Sequence, residues 1–256
     1  PDSSSATIQP VRVLSLGSRV WYDADDNGTL DAGEPGIQGV VLQLLNSDST
    51  PYLDNGQPVT TTSDSNGYYT FTQLLPGGYR LQVINTNFAN NASLAGLRSS
   101  MDLPISANAD NNVDNDDNGI GNLSDVTTSG IFTITVGGEP TNESDDLTAN
   151  ANSNLTLDFG IYEPLSLGNR DWHDLDNEGQ LDGGESGIDG VVVNLYLDSN
   201  HDGLPNGGVV LSDTTSDGGY YFFDNLTQGG YLVEIASSNF NAGGVLAGYY
   251  SSLPTA

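Results

Sequence analysis

The sequence predicts an all-β protein built from two β-sandwich units in tandem, and three observations carry that expectation. Short runs rich in β-branched and aromatic residues recur along the chain, and no window of helical length shows an apolar stripe of period 3.6. Asp-Asn-Gly at 54–56, Ser-Asn-Gly at 65–67 and Pro-Gly-Gly at 76–78 separate those runs with residues suited to tight turns. Finally, the chain repeats itself, which makes one unit a guide to the other.

In order, the expected strands of the first unit are Ser15–Tyr22, Gly39–Leu45, Tyr68–Thr72, Tyr79–Ile84, Ile131–Val136 and Asn154–Ile161. Short strands of this number in a unit of about 150 residues fit a β-sandwich able to fold alone. The duplication begins at Leu14-Ser15-Leu16-Gly17-Ser18-Arg19, matched by Leu165-Ser166-Leu167-Gly168-Asn169-Arg170. It runs without a gap from Trp21, beside Trp172, to Val40, beside Val191. After one inserted residue it resumes with Gly67-Tyr68-Tyr69 against Gly219-Tyr220-Tyr221 and Asn87-Phe88 against Asn239-Phe240. The expected organisation is an N-terminal segment 1–13, a first sandwich 14–163 and a second, C-terminally incomplete sandwich 164–256. The second unit stops near the equivalent of Met101, and Pro1 is neither an initiator methionine nor part of a signal peptide. The chain therefore reads as a window on a longer or processed protein.

Charge narrows the function classes. The 256 residues carry 34 Asp plus Glu against 5 Lys plus Arg, a formal net charge of −29. Such a surface repels phosphate backbones and anionic lipid, so neither nucleic acid nor a membrane surface is an expected partner. All five basic residues are arginines, which leaves no lysine for a Schiff base, a phosphate-binding loop or a Lys–Asn isopeptide bond. The chain has no cysteine for a disulfide or a thiolate metal site. No apolar run approaches the ~18–20 residues of a membrane span, so no membrane insertion is expected of this sequence. Aspartate supplies most of the acid, in loops shared with Asn and Gly. Composition leaves open whether these are cation ligands or a solvated acidic surface suited to high salt.

Spacing favours the cation. Asp23-Ala24-Asp25-Asp26-Asn27-Gly28-Thr29-Leu30-Asp31-Ala32-Gly33-Glu34 fits the calcium-loop pattern D-x-[DN]-x-[DN]-G-x5-E throughout. Asp23, Asp25 and Asn27 bring oxygens to one point, Gly28 allows the bend and Thr29 offers its carbonyl. Asp31 binds directly or through water, and Glu34 closes the shell. The second unit repeats the loop as Asp174, Asp176, Glu178, Gly179, Gln180, Asp182 and Glu185, departing at Glu178 where Asp or Asn is usual. The flanks are strands, so this is the loop chemistry without a helix-loop-helix fold. Two weaker clusters begin the same pattern. One is Asp114, Asp116 and Asn118 with Asp125 at the closing position; the other is Asp198, Asn200 and Asp202 with Val209 there. Solvated Asx-rich turns are the alternative for both. Asp64, Asp110 and Asp217 are candidate extra ligands from neighbouring loops.

Catalysis finds little support. His173 and His201 both lie in the second unit, so chemistry shared by the repeats does not use histidine. The carboxylate pairs are already explained as ligands, and nothing announces the cleft a glycosidase needs. Tyr68-Tyr69 and Tyr220-Tyr221-Phe222-Phe223 are read as core-facing in preference to a sugar-stacking platform. N-x-[ST] sequons occur at Asn27, Asn91, Asn122, Asn142, Asn154 and Asn225, as chance allows in this composition.

Several stretches together resemble a known family. They are Gly17-Ser18-Arg19-Val20-Trp21 with its Asp loop, Gly33-Glu34-Pro35-Gly36-Ile37-Gln38-Gly39-Val40-Val41, Asp64-Ser65-Asn66-Gly67-Tyr68-Tyr69, Leu74-Leu75-Pro76-Gly77-Gly78-Tyr79 and Leu157-Asp158-Phe159-Gly160-Ile161-Tyr162. They are similar to the B domains of serine–aspartate repeat adhesins, the SdrD B-like branch of Cna B-type domains. The resemblance implies tandem prealbumin-like or Ig-like β-sandwiches with calcium-binding loops, acting as stiff spacers at a cell surface. It places ligand roles on Asp23, Asp25, Asn27, Asp31 and Glu34, on Asp174, Asp176, Asp182 and Glu185, and on Asp114 and Asp116 of a further site. Many relatives are locked by Lys–Asn bonds; without lysine, metal would have to supply the strength here.

The expectation is thus an extracellular, non-enzymatic module whose cofactor is Ca²⁺, whose partners are calcium ions and neighbouring repeats or like subunits, and whose place is the cell surface or the secreted fraction. A carbohydrate- or protein-binding adhesion domain and an accessory domain of a secreted hydrolase are the alternatives. One further expectation concerns assembly: the segment 1–13 is a candidate donor strand for the incomplete second sandwich, which would build a head-to-tail filament.

Overall fold

A computed structural model of the chain describes residues 13–100, 108–120, 127–141 and 150–252. It divides into unit 1, Pro1–Glu163, and unit 2, Pro164–Ala256. The donor-strand segment, Asp125 and the sequons at Asn122 and Asn142 lie outside the described residues, apart from Val13.

Unit 1 has one long opening strand, β1 (Leu14–Tyr22), then β2 (Val41–Asn46), a small ribbon of β3 (Leu53–Asp54) and β4 (Gln57–Pro58), and β5 (Thr60–Thr62). The strands β6 (Tyr68–Leu74) and β7 (Gly77–Val83) follow, then a 3-10 turn at Asn85–Phe88 and β8 (Arg98–Ser99). The unit closes with β9 (Gly119–Ile120), β10 (Thr127–Ser129), β11 (Phe132–Ile134), β12 (Ser153–Asn154) and β13 (Phe159–Tyr162). One sheet is built on β1, which pairs antiparallel with β6 and, on its other edge, parallel with β12 and then β13; β8 pairs with β13. The other sheet runs β5-β2-β7-β10-β9, with β11 also on β7. Leu16, Val20, Phe71, Phe159 and Ile161 from the first sheet meet Leu42, Leu44, Leu81, Val83, Phe132 and Ile134 from the second in one buried core. The strand period of two places those residues on the inward face.

Unit 2 repeats the first half of this plan. It has β14 (Leu165–Arg170), β15 (Val192–Leu197), β16 (Leu211–Thr214), β17 (Tyr220–Leu226) and β18 (Tyr231–Ile235), then a 3-10 turn at Ser237–Phe240. β14 pairs with β17, and β15 lies between β16 and β18. Its core is smaller: Val191, Val193, Leu195, Phe223, Leu226 and Leu246. Small polar anchors repeat with the fold. Asn87 bonds the N–H and C=O of Val41, both at 2.8 Å, and Asn239 does the same for Val192 at 2.9 and 2.8 Å.

Three sequence expectations change. The run 154–161 is not one strand, because residues 155–158 break it into β12 and β13. The two-residue strands β3, β4, β8 and β9 were too short for periodicity to show. Tyr221 and Phe223 turn inward as expected, but Tyr220 and Phe222 point outward and are exposed, since alternate residues of a strand take opposite faces.

Candidate metal centres

β1 ends by delivering Asp23, fully buried, to the start of the acidic loop. Its two carboxylate oxygens accept the backbone N–H groups of Asn27 at 3.1 Å and Gly28 at 2.8 Å. Those bonds fold the chain back over the carboxylate, with Asp26 (φ 53) and Gly28 (φ 71) in the left-handed region. Glycine at the second of these meets no steric cost. Glu34 closes the loop from the other end: Oε1 accepts Ala24 N–H at 2.7 Å and Oε2 accepts Asp31 N–H at 2.9 Å. The result brings one carboxylate oxygen each from Asp23, Asp25 and Glu34 within 4.8 Å of one another. Asn27 and Asp31 lie alongside, joined by a 3.0 Å hydrogen bond, and Asn27 Oδ1 accepts Thr29 N–H.

The loop of unit 2 has the same frame. Asp174 accepts N–H bonds from Asn177 at 2.7 Å and Gly179 at 2.9 Å; Glu185 accepts them from Leu175 and Asp182. Asn177 (φ 60) and Gly179 (φ 80) take the two left-handed positions. Asp174, Asp176 and Glu185 converge within 4.8 Å, and so do Asp176, Glu178 and Asp182, while Gln180 is exposed. The departure at Glu178 has an electrostatic consequence: Asp176 first, then Asp182, push its carboxyl above the ordinary range. Burial works upward on Asp174, yet the N–H groups of Gly179 and Asn177 and the Ser252 hydroxyl outweigh it and lower the carboxyl.

A third loop shares this frame, although its sequence match was weaker. Asp198 is buried and accepts Asp202 N–H and Gly203 N–H, both at 3.1 Å, with His201 (φ 55) and Gly203 (φ 79) left-handed. Asn200 donates to Asp202 at 3.0 Å. The segment 114–119 takes another course. Its left-handed residue is Asn115 (φ 68), and the buried carboxylate is Asp117, which accepts Gly119 N–H and Gly160 N–H. Asn118 is turned inward, exchanging bonds with the backbone of Asp158, and also donates to Asp116. This segment lies directly on the first loop: Leu30 N–H donates to Asn115 at 2.9 Å, Asp117 N–H donates to Gly28 at 2.9 Å, and Thr29 bridges to Asp116. Burial against that loop, with the Asp114 charge added, pushes the Asp116 carboxyl up.

Sequence reasoning assigned no role to Asp158. Its carboxylate accepts Arg19 N–H and Asn115 N–H, both at 3.1 Å, and so ties β1 to the second acidic segment. A carboxylate between two core residues, Leu157 and Phe159, was the available signal.

The donor set is oxygen only, with no Lys or Arg among residues 23–34 or 174–185. Carboxylates and amide or backbone carbonyls crowded without a counter-charge suit a hard cation, and calcium above a transition metal. A carboxylate oxygen that accepts one N–H keeps a lone pair for such an ion. The loops and their framework recur as a unit in known proteins: the family model described as SdrD B-like domain matches residues 14–128 and again 165–248. The chain belongs to the SdrD B-like domain family. It is 32% identical over 235 residues to serine-aspartate repeat-containing protein C of Staphylococcus aureus strain MRSA252, covering 91% of this chain and 20% of that protein. It is 28% identical over 231 residues to Colossin-B of Dictyostelium discoideum, covering 88% and 6%. The chain thus spans a fifth or less of these two relatives. Among solved structures, the minor pilin GBS52 of Streptococcus agalactiae has a TM-score of 0.30 at 15% identity, covering 88% of this chain and 85% of that one. A streptococcal ancillary pilin has 0.32 at 12%, covering 89% and 55%. These likenesses are faint and lend the chain no function. Both SdrD B-like matches contain the complete acidic loop, and among the described residues no helix is long and apolar enough to cross a membrane.

Proposed function

We propose that this SdrD B-like pair is a calcium-stabilised structural spacer of a cell-surface adhesin, stalk or filament, extracellular and without enzymatic activity. The observation that carries the reading is the shared frame of the loops at 23–34 and 174–185. In each, an opening aspartate and a closing glutamate are fixed by backbone N–H groups so that three carboxylates face one point. Asp23, Asp25, Asn27, Thr29, Asp31 and Glu34 would hold one ion, and Asp174, Asp176, Glu178, Gln180, Asp182 and Glu185 another. Asp198, Asn200 and Asp202 offer a third, less complete set, and Asp114, Asp116 and Asn118 a fourth that leans on the first loop. Bound Ca²⁺ removes the repulsion among these carboxylates, so binding free energy becomes folding free energy. Extracellular modules work at affinities of ~10⁻⁴–10⁻³ M, which suffices outside a cell. Thermal melting in millimolar calcium and in EGTA tests the proposal; an unchanged melting temperature and unchanged protease resistance would overturn it.

One observation favours a second reading, carbohydrate binding. Tyr220 and Phe222 stand exposed on the outer face of β17, with Arg170 stacked 5.3 Å from the Tyr220 ring centroid. Unit 1 has Tyr68 and Thr70 at these positions. A glycan array with wild-type and Phe222→Thr chains tests it: binding lost in the variant supports a stacking platform, and absence of binding to any glycan ends it.

A further inference from the structure

The sequence holds five Asn-Gly pairs, at 27–28, 55–56, 66–67, 118–119 and 206–207, all within the described residues. In such a pair the glycine nitrogen can attack the side-chain amide before it, because no Cβ shields that nitrogen and the backbone turns freely. The attack needs the nitrogen and the amide carbon brought within about 3–3.5 Å of each other. It also needs the N–H released from any acceptor, since a bonded N–H points away from the amide. What holds each pair therefore decides its reactivity.

Four pairs are tied down. Gly28 N–H donates to Asp23 at 2.8 Å, and the Asn27 amide donates to Asp31 at 3.0 Å. Gly67 N–H donates to the Asp64 carbonyl at 3.1 Å, and Asn66 N–H to the Asp64 carboxylate at 2.8 Å. Asn118 is fully buried, with its side chain bonded to Asp158 N–H and to Asp116, while Gly119 N–H donates to Asp117 at 2.9 Å. At the fourth pair the Asn206 side-chain oxygen accepts the Ser199 hydroxyl at 2.9 Å and Asn200 N–H at 3.3 Å, and Asn206 N–H donates to Leu197 at 2.8 Å.

Asn55-Gly56 differs. The pair is the tip of the ribbon β3–β4, where Asn55 (φ 51) and Gly56 (φ 80) form the two-residue turn between Asp54 and Gln57. Both residues are exposed, and a Cβ on Gly56 would meet nothing within 4 Å. Among the described residues no acceptor holds Gly56 N–H, and the Asn55 amide makes only an exposed bond to the neighbouring Asp54 carboxylate at 3.1 Å. Two residue pairs close the ribbon, and a ribbon of that size opens at little cost. Its base is pinned to β2 separately, by Tyr52 N–H on the Leu44 carbonyl and Leu44 N–H on the Val59 carbonyl, both at 2.9 Å, so opening stays at the tip. We propose that Asn55 is a site of self-modification, in which Gly56 N attacks Asn55 Cγ. The N–Cγ bond forms, the Cγ–Nδ2 bond breaks, and Nδ2 takes up the proton lost by Gly56 N and leaves as ammonia. Water then opens the cyclic imide at either carbonyl and leaves aspartate or isoaspartate at position 55. The sum consumes one water and needs no oxidant, reductant or enzyme. Either product adds a negative charge beside Asp54, and isoaspartate also lengthens the backbone of the turn by one methylene. This inference does not depend on the calcium reading.

The test incubates the 256-residue chain in mildly alkaline buffer and follows each asparagine by peptide mass spectrometry, with isoaspartyl methyltransferase reporting isoaspartate. Asn55 should convert at least about tenfold faster than any of the other four, and hydroxylamine should cleave the folded chain first after residue 55, where the imide forms. In denaturant the five rates should draw together, because nothing then holds the other glycine nitrogens. Equal conversion at all five in the folded chain overturns the proposal, as does conversion led by Asn27, Asn66, Asn118 or Asn206. A lead for Asn55 that persists undiminished in denaturant also overturns it, since neighbouring side chains and not the fold would then set the rate.

Discussion

Leu14 and Leu165 open strands of nearly the same sequence, yet Leu14 is 1% exposed and Leu165 49%. The contrast continues across the sheets: Trp21 is fully buried and Trp172 half-buried, and Leu81 is buried where Val233 is exposed. Nothing local explains this, because each pair occupies the same place in the repeat and pairs with the same antiparallel neighbour. The difference comes from β12 and β13 on the edge of β1, and from β10 and β11 on the edge of β7. Those strands convert a half-open layer into a closed core. Burial of a given residue in this fold is thus decided largely by segments remote in sequence, such as Phe159 beside Val20 and Thr127 beside Val83.

The largest expected effect tests that statement directly. Trp21→Ala should destabilise unit 1 by about 3–5 kcal/mol, the usual range for a buried aromatic truncated in a packed core. Trp172→Ala should cost unit 2 markedly less, because its ring already borders a groove of about 390 Å³. Denaturant unfolding followed by circular dichroism measures both, with the fluorescence of the remaining tryptophan marking the transition of the untouched unit. Equal losses would show that unit 2 closes its core in solution in some other way.

Calcium comes next in size. With a dissociation constant of ~10⁻⁴ M, 10 mM calcium stabilises a site by about 2.7 kcal/mol, or several degrees in melting temperature. Glu34→Gln and Glu185→Gln should each abolish that gain in their own unit. They should act unequally on the calcium-free protein, because the loop of unit 1 is also held by residues 115–117. Asp158→Asn addresses that support. It weakens the acceptor of two N–H groups, and a cost of about 1–3 kcal/mol confined to unit 1 is expected, read from the same unfolding curves.

Much of this was legible in the sequence, and what was not has physical causes. The duplicated Asp loops could be read because their acid spacing is local: positions 1, 3 and 12 converge through hydrogen bonds inside twelve residues. The strands carrying core residues, such as Tyr68–Leu74, were visible because alternation is local too. The turn at Asp198–Gly203 follows the backbone course of the other two loops, which its incomplete acid pattern did not announce. The role of Asp158 was invisible, because its partners Arg19 and Asn115 lie 139 and 43 residues away. Pairing strands of two residues leave no period at all, and the outward turn of Phe222 depends on register, which alternation in Tyr220-Tyr221-Phe222-Phe223 cannot fix when every residue is aromatic.

The smallest expected effect separates the two loops by pH. Glu178 stands where unit 1 has Asn27, and the charge of Asp176, then that of Asp182, raises its carboxyl above the ordinary value of 4.5. A group whose pKa is raised on folding favours the folded state when protonated. Without calcium, its contribution is therefore present at pH below the unfolded value and is lost as pH rises through the raised one. In EGTA, unit 2 should gain stability from this group as the solution is acidified into that range, and Glu178→Asn should remove the gain. In calcium the sign reverses, because protons then compete with the ion for the same oxygens. Melting curves of wild type and Glu178→Asn at pH 4 to 7, with and without calcium, check both signs. An identical pH profile for the two chains in EGTA would show that Glu178 feels no crowding in the calcium-free loop, and the loops of the two units would then differ only in sequence.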